Sequence, residues 1–230
     1  MREHLSQTSR WRSFVVRFLA VALCAGFSAG TLLAQTSPTA GELAARIDHH
    51  YNSLHSLSVH FVQHYDGMGM HRKEAGVLLL RKPGKMRWTY TDPEGQLFVL
   101  DGKNAYFYTP GQSEAQRVPE KQLNDLQSPL RFLLGHTELE KELTNLQVTP
   151  QGNGEYELTG VPKGMEQRIS ALKIEAEADG TIRRMSIVET DGVTNSFDFS
   201  GELGNAPAPE SAFVFTPPPG VHVVNGTPPV

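Results

Sequence analysis

Two hydrophobic periods follow one another along this chain. After Thr39, Leu43, Ile47, Tyr51 and Leu54 recur at helical spacing. They form the apolar stripe of an amphipathic helix of about four turns. Thr39 and Glu42 stand at its start as Thr-x-x-Glu, a capping box in which each side chain satisfies a free N–H of the first turn. Beyond the helix the period becomes two: Leu57, Val59, Phe61 and Tyr65 alternate with Ser58, His60 and His64. That is the signature of a half-buried strand.

Turn signals then arrive at short intervals: Asp66-Gly67, Pro83-Gly84, Glu94-Gly95, Asp101-Gly102 and Pro110-Gly111. Asp-Gly between apolar runs is a hairpin signal, because both turn positions favour positive φ. Strands are therefore expected at Val77–Lys82, Lys85–Thr91, Gln96–Leu100, Asn104–Thr109 and Ala115–Val118. One helical segment interrupts the series. Ser128 and Pro129 read as N-cap and first helical residue, Leu130, Phe132, Leu133 and Leu134 follow, and Gly135 closes. A second short helix is expected over Thr137–Leu143. Strands resume at Leu146–Thr149, Glu155–Gly160, Ile169–Ala176, Thr181–Glu189 and Val193–Ser200. The Pro/Gly-rich tail from Phe213 to Val230 is expected to lie extended over the surface. The reading is mainly β: a single large antiparallel sheet of about eleven strands that curls because it is wide. The N-terminal helix and the short central helical segment plug its concave side.

The stretch LLLRKPGKMRWTYTDPEG carries the most information about function. Period two puts Leu78, Leu80, Met86, Trp88 and Tyr90 on one face of a hairpin and Lys85, Arg87 and Thr89 on the other. Val77 and Leu79 make the second face apolar in part. The two helices leave a concavity to fill, and Leu130–Leu134 supplies an apolar lid. An apolar ligand cavity follows, lined by Leu78, Leu80, Met86, Trp88, Tyr90, Tyr51, Leu130 and Leu133.

Composition narrows the compartment and the chemistry. Residues 1–17 carry four arginines and one acid, and residues 18–34 carry no charge. This is the build of a secretory signal peptide, with cleavage after Ala34 or, as second choice, Gly30; an uncleaved anchor is the alternative. Residues 35–230 are then one domain, with 17 bases against 24 acids, a net charge of −7. That balance argues against nucleic acid. The single cysteine, Cys24, lies inside the signal segment and follows Leu23, a poor lipidation context. His60 and His64 fall on a strand without further ligands, so no metal is expected. No nucleophile elbow, P-loop or dinucleotide motif is present, so no catalytic residue and no cofactor is assigned.

Six segments in order, SLHSLSVHFVQHY, LLLRKPGKMRWTY, LFVLDGKNAYFY, SPLRFLL, DGTIRRMSIVETDG and FVFTPPPGV, resemble the LolA-type outer-membrane lipoprotein carriers. The likeness spans Ala40 to Val224. It implies a half-open β-barrel with helices as a lid over an apolar cavity. It also implies a periplasmic shuttle for acylated lipoproteins, and the signal segment and acidic mature chain point to a soluble monomer. Its partners would be an inner-membrane ABC-type release complex and an outer-membrane acceptor of LolB-like kind. The basic residue before the proline of the corner ties the lid shut in such carriers. Here it is Lys82 where arginine is more common, and Met86 stands where an aromatic is common. The physics suits such a carrier. At about 0.8 kcal/mol per methylene, an acyl chain of some fifteen carbons costs on the order of 10 kcal/mol to expose to water. Other readings of the same features are a related lipid-, glycolipid- or lipoprotein-sensing module, an outer-membrane receptor of similar fold, and an enzyme.

Overall fold

The computed structural model describes residues 37–125 and 136–226. Helix α1 runs Ala40–Asn52 and ends at Ser53. Its capping box is formed: Thr39 N–H donates to Glu42 Oε2 at 2.8 Å, and Glu42 N–H donates to Thr39 Oγ1 at 3.2 Å. Leu43, Ala44, Ile47 and Tyr51 make its buried stripe. Leu54, expected on the same stripe, lies past the helix end.

The strands are β1 Ser56–Gly67, β2 Met70–Arg81, β3 Lys85–Asp92, β4 Glu94–Asp101, β5 Asn104–Tyr108 and β6 Glu114–Pro119. After a 3₁₀ turn at Glu120–Asp125 and helix α2 at Leu139–Glu142 come β7 Leu143–Gly152, β8 Glu155–Pro162, β9 Ile169–Glu177, β10 Ile182–Glu189, β11 Thr194–Gly204 and β12 His222–Asn225. They form one 12-stranded sheet in the order β12-β6-β5-β4-β3-β2-β1-β11-β10-β9-β8-β7. Every neighbouring pair is antiparallel except β12 on β6. The long-range pair β1–β11 joins the two meanders into one open, curled sheet.

The structure departs from the sequence reading in several places. Among the described residues there are twelve strands, because the Pro/Gly-rich tail contributes β12 on the β6 edge. Leu143 opens β7, so α2 is shorter than Thr137–Leu143. The first hairpin turns at Met68-Gly69 (φ 53° and 73°), with Gly67 already paired to Met70. Asp66-Gly67 therefore extends β1, and β2 starts well before Val77. The proposed helix at Ser128–Gly135, with Leu130 and Leu133, and the signal segment 1–34 with Cys24 lie outside the described residues.

Helix α1 packs on α2, β7 and β8. It also approaches the β9–β10 turn closely: a Cβ on Gly180 (φ 97°) would lie 2.5 Å from Arg46 O. Only glycine suits both that contact and that backbone. The core is continuous from α1 through β1–β4 to β8–β11, with Leu43, Ile47, Leu78, Leu158 and Ile174 fully buried. Among the described residues no helix is long and apolar enough to cross a membrane.

Candidate functional site

The apolar row is assembled by register. Leu78 faces Trp88 and Leu80 faces Met86 across β2–β3, while Val59 faces Leu78 and Leu57 faces Leu80 across β1–β2. All six are buried. Phe61 lies where Gly76 gives it room: a Cβ on Gly76 would sit 2.9 Å from the Phe61 ring and 2.2 Å from Thr89 O. A glycine inside a strand here marks the close approach of a large side chain. Phe61 then meets Trp88 and Tyr90 edge-on at 4.7 and 5.2 Å, and Trp88 meets Phe197 of β11 at 5.4 Å. The Trp88 indole N–H donates to Met86 Sδ at 2.8 Å. Burial and the nearby Glu74 carboxylate push the Tyr90 hydroxyl up to about 12.

Tyr51, at the end of α1, closes one side of this face. The free space bounded by Tyr51, Leu57, Val59 and Leu78 on one side and Ile182, Phe199 and Glu202 on the other is about 10 Å³. That holds about one water molecule, against roughly 300–1,000 Å³ for a ligand pocket. At this point the apolar face is packed on itself.

Several polar bonds hold α1 in place. Lys82 Nζ donates to Tyr51 O at 2.8 Å, and Lys82 N–H donates to His55 O at 2.9 Å. An ammonium at a helix C-terminus also meets the negative end of the helix dipole. Partial burial pulls the Lys82 pKa down. The lid carbonyls of residues 130–135, the partner expected for Lys82, lie outside the described residues. Among the described residues its ammonium is bonded to α1. Tyr51 O–H donates to Glu202 Oε2 at 2.9 Å and accepts from Ile182 N–H at 3.0 Å. His50 Nε2 lies 2.6 Å from Glu202 Oε1. Burial, chiefly, and the Glu202 carboxylate raise the Tyr51 pKa well above the usual tyrosine value. Asn52 pairs with both backbone groups of Thr137, and Asp48 accepts from Leu139 N–H, so the segment entering α2 is fixed to α1.

The other face of the same corner has a different occupant. Arg81 donates to Ala208 O and Arg87 to Ala212 O, and Arg81 and Lys85 pair with Glu210. The residues after β11 thus cross the outside of β2 and β3. Phe213 is buried there, and Phe215 stacks on Tyr106 at 5.1 Å. Sequence reasoning placed Lys85 and Arg87 on that face but found no partner for them. Glu210 and the two phenylalanines in a Pro/Gly-rich tail were the available signal. Glu202 and His50 were also missed, and their bonds to each other and to Tyr51 span more than 150 residues. Among the described residues there is no group of three His, Cys, Asp or Glu that could hold a metal.

The model of the outer membrane lipoprotein carrier protein LolA matches residues 52–216. The chain belongs to the LolA family. The matched stretch runs from the end of α1 through the 3₁₀ turn at Glu210–Phe213, and so includes the apolar row, Lys82 and the outer strap. An outer-membrane lipoprotein carrier protein of Chromobacterium violaceum is 29% identical over 207 residues, covering 90% of this chain and 95% of that one. One of Nitrosomonas europaea is 32% identical over 154 residues, covering 66% and 73%. Among solved structures, a LolA superfamily protein of Nitrosomonas europaea is 11% identical, with a TM-score of 0.41, covering 78% of this chain and 99% of that one.

Proposed function

We infer that this LolA-family chain is a non-enzymatic periplasmic carrier. It holds the acyl chains of lipoproteins against its concave face and moves them from the inner to the outer membrane. The observation that carries the reading is the continuous apolar face of β1–β3, β10 and β11 under α1, in a chain whose relatives are named lipoprotein carriers. Residues 1–34 act as the signal segment and residues 35–230 as the carrier, which works as a monomer. Loading comes from an ABC-type release complex of the inner membrane and unloading goes to an outer-membrane acceptor.

Leu78, Leu80, Met86, Trp88, Tyr90 and Tyr51 line the acyl site, with Leu130 and Leu133 completing it. Transport without an energy source at the carrier needs a hold that is firm in water yet reversible. Apolar contact supplies the hold, because it is non-directional and tolerates a change of occupant. The Lys82–Tyr51 bond supplies a closed reference state, which the cargo displaces. The small free space beside Tyr51 supports this division, since among the described residues that part of the apolar face covers itself.

The test is transfer of a labelled triacylated lipoprotein from inner-membrane to outer-membrane vesicles, with loading and delivery scored separately. The mature chain is expected to release the lipoprotein from the donor and pass it on. Lys82→Leu, which removes the donor and adds apolar surface at the mouth, is expected to load but deliver slowly. Lys82→Arg is expected to restore delivery. A wild-type chain that leaves the lipoprotein in the donor membrane, while binding a free glycolipid identified by mass spectrometry, overturns the reading in favour of a lipid-binding module.

A further inference from the structure

The inward face of the sheet changes character along its strands. One inward step past the aromatic row, each of five strands carries a polar residue: Gln63 beyond Phe61 on β1, Glu74 beside Gly76 on β2, Tyr90 beyond Trp88 on β3, Gln96 before Phe98 on β4 and Asn195 before Phe197 on β11. Register keeps them level, with Gln63 opposite Glu74 and Tyr90 opposite Gly76. Hydrogen bonds draw the five together. Gln63 Nε2 donates to Asn195 Oδ1 at 3.0 Å, the Tyr90 hydroxyl to Gln63 Oε1 at 3.5 Å, and Gln96 Nε2 to Glu74 Oε2 at 3.4 Å. Gln96 also reaches the Tyr90 hydroxyl, and the Glu74 carboxylate lies near it. Bonds of 3.4 and 3.5 Å are long, so a better-placed partner can replace them. A carboxamide offers two N–H groups and an acceptor oxygen, which leaves the row with capacity for a ligand. All five side chains are half-buried, so they border the apolar face and still meet solvent.

We propose that Gln63, Tyr90, Gln96 and Asn195 bind the uncharged ester and amide groups of a diacylglyceryl-cysteine head, and that Glu74 keeps phosphate out, so that the face takes lipoproteins rather than phospholipids. Ester and amide carbonyls need donors, the cysteine N–H needs an acceptor, and the row supplies both. A phosphate would meet the Glu74 carboxylate in a half-buried setting, where like charges repel more strongly than in water. The bases beside Glu74 on β2 do not offset that charge. Strand parity turns Lys73 to the opposite face. Arg72 is exposed and lies over the Tyr65 ring at 4.7 Å. Along β1, Gln63 stands six residues from Leu57, roughly 20 Å, which accommodates an extended acyl chain. A chain anchored at the polar row runs over Phe61, Trp88 and Val59 toward Tyr51. The subsite rests on the carrier reading, since it orients the same cargo on the same face.

The experiment is displacement of diphenylhexatriene, a fluorescent hydrocarbon without a polar head, from the mature chain. Two competitors carry the same acyl chains: an uncharged, N-acetylated dioctanoylglyceryl-cysteine peptide and dioctanoyl phosphatidylglycerol. The wild-type chain is expected to bind the lipopeptide at least about tenfold more tightly than the phospholipid. Gln63→Met, which keeps side-chain length, is expected to narrow that preference by weakening the lipopeptide. Glu74→Gln, which removes the charge and keeps the shape, is expected to narrow it from the other side, by strengthening the phospholipid. A merely structural row would change both lipids alike. Far-UV circular dichroism, unchanged in each variant, separates loss of a ligand group from loss of the fold. Equal displacement by the two lipids, or a preference that keeps its wild-type value in both variants, overturns the subsite and leaves the carrier reading standing. Failure of diphenylhexatriene and of both lipids to bind overturns the two together.

Discussion

The inner and outer faces of the β2–β3 corner use the same strands in opposite ways. Inward, Leu78, Leu80, Met86 and Trp88 make mainly apolar contacts, and a single ammonium, Lys82, bonds the last turn of α1. Outward, Arg81, Lys85 and Arg87 grip two carbonyls and one carboxylate of the segment after β11. Directional bonds to several points fix a segment in one register, while apolar contact allows one apolar partner to replace another. In the proposed carrier the inner face serves exchange and the outer face permanence, and the alternation of a strand is enough to separate them.

Substitutions that remove inner packing are expected to have the largest effect. Trp88→Ala takes away contacts to Phe61 and Phe197 and should destabilise the fold by roughly 3–5 kcal/mol in denaturant unfolding. A loss below about 1 kcal/mol would mean that this face is already loose, and the contrast between the two faces would fail.

The next effect is alkaline. Folding raises the Tyr90 pKa from 10 to about 12, so the folded chain holds that proton more tightly than the unfolded chain. Its contribution is complete below pH 10 and is lost as pH climbs through 12, by roughly 2–3 kcal/mol at the limit. Tyr51 is shifted in the same direction and adds to the fall. Tyr90→Phe should flatten the decline of stability between pH 10 and 12, as read by urea midpoints across that range. An unchanged slope would place Tyr90 in water.

Lys82→Met keeps most of the side chain but removes the donor to Tyr51 O. A hydrogen bond from a charged group of this kind contributes about 1.5 kcal/mol. Amide exchange at the end of α1 should speed up accordingly, with the strands unaffected. Exchange that stays at the wild-type rate would show that Tyr51 and Asn52 hold the helix alone.

The smallest effect belongs to the outer ion pairs. Glu210 is well exposed, and Lys85 beside it holds its carboxyl below the usual range. Glu210→Gln should cost little stability, and less still at high salt. Limited proteolysis between β11 and β12 reports it more sensitively than stability. Rapid cutting in the variant at low salt would mean that these pairs, and not Phe213, anchor the strap.

How much of this could be read in advance depended on the range of the interaction. The capping box, the alternation of Leu78, Leu80, Met86, Trp88 and Tyr90, and most turns are signals within a few residues, and they appear in the fold as expected. Glu202 with His50 and Tyr51 could not be read, because the partners come together only when β11 pairs with β1. The strap was partly legible. Proline and glycine in the tail pointed to an extended surface segment, but they hid the burial of Phe213 and the short edge strand that follows. The first hairpin was misplaced because Asp66-Gly67 is a favourable turn dipeptide, yet Met68-Gly69 also reaches positive φ and lets two more residues pair.

Contact between an acyl chain and Trp88 tests the central claim most directly. The measurement uses a mature chain lacking Trp11 and an acylated peptide brominated midway along its chain, since bromine quenches indole emission only on close approach. The account predicts saturable quenching of Trp88, stronger with the bromine at mid-chain than in an unacylated brominated peptide. If the acylated peptide binds and Trp88 emission stays unchanged at saturation, the cargo lies elsewhere and the inner face is only the core of the fold.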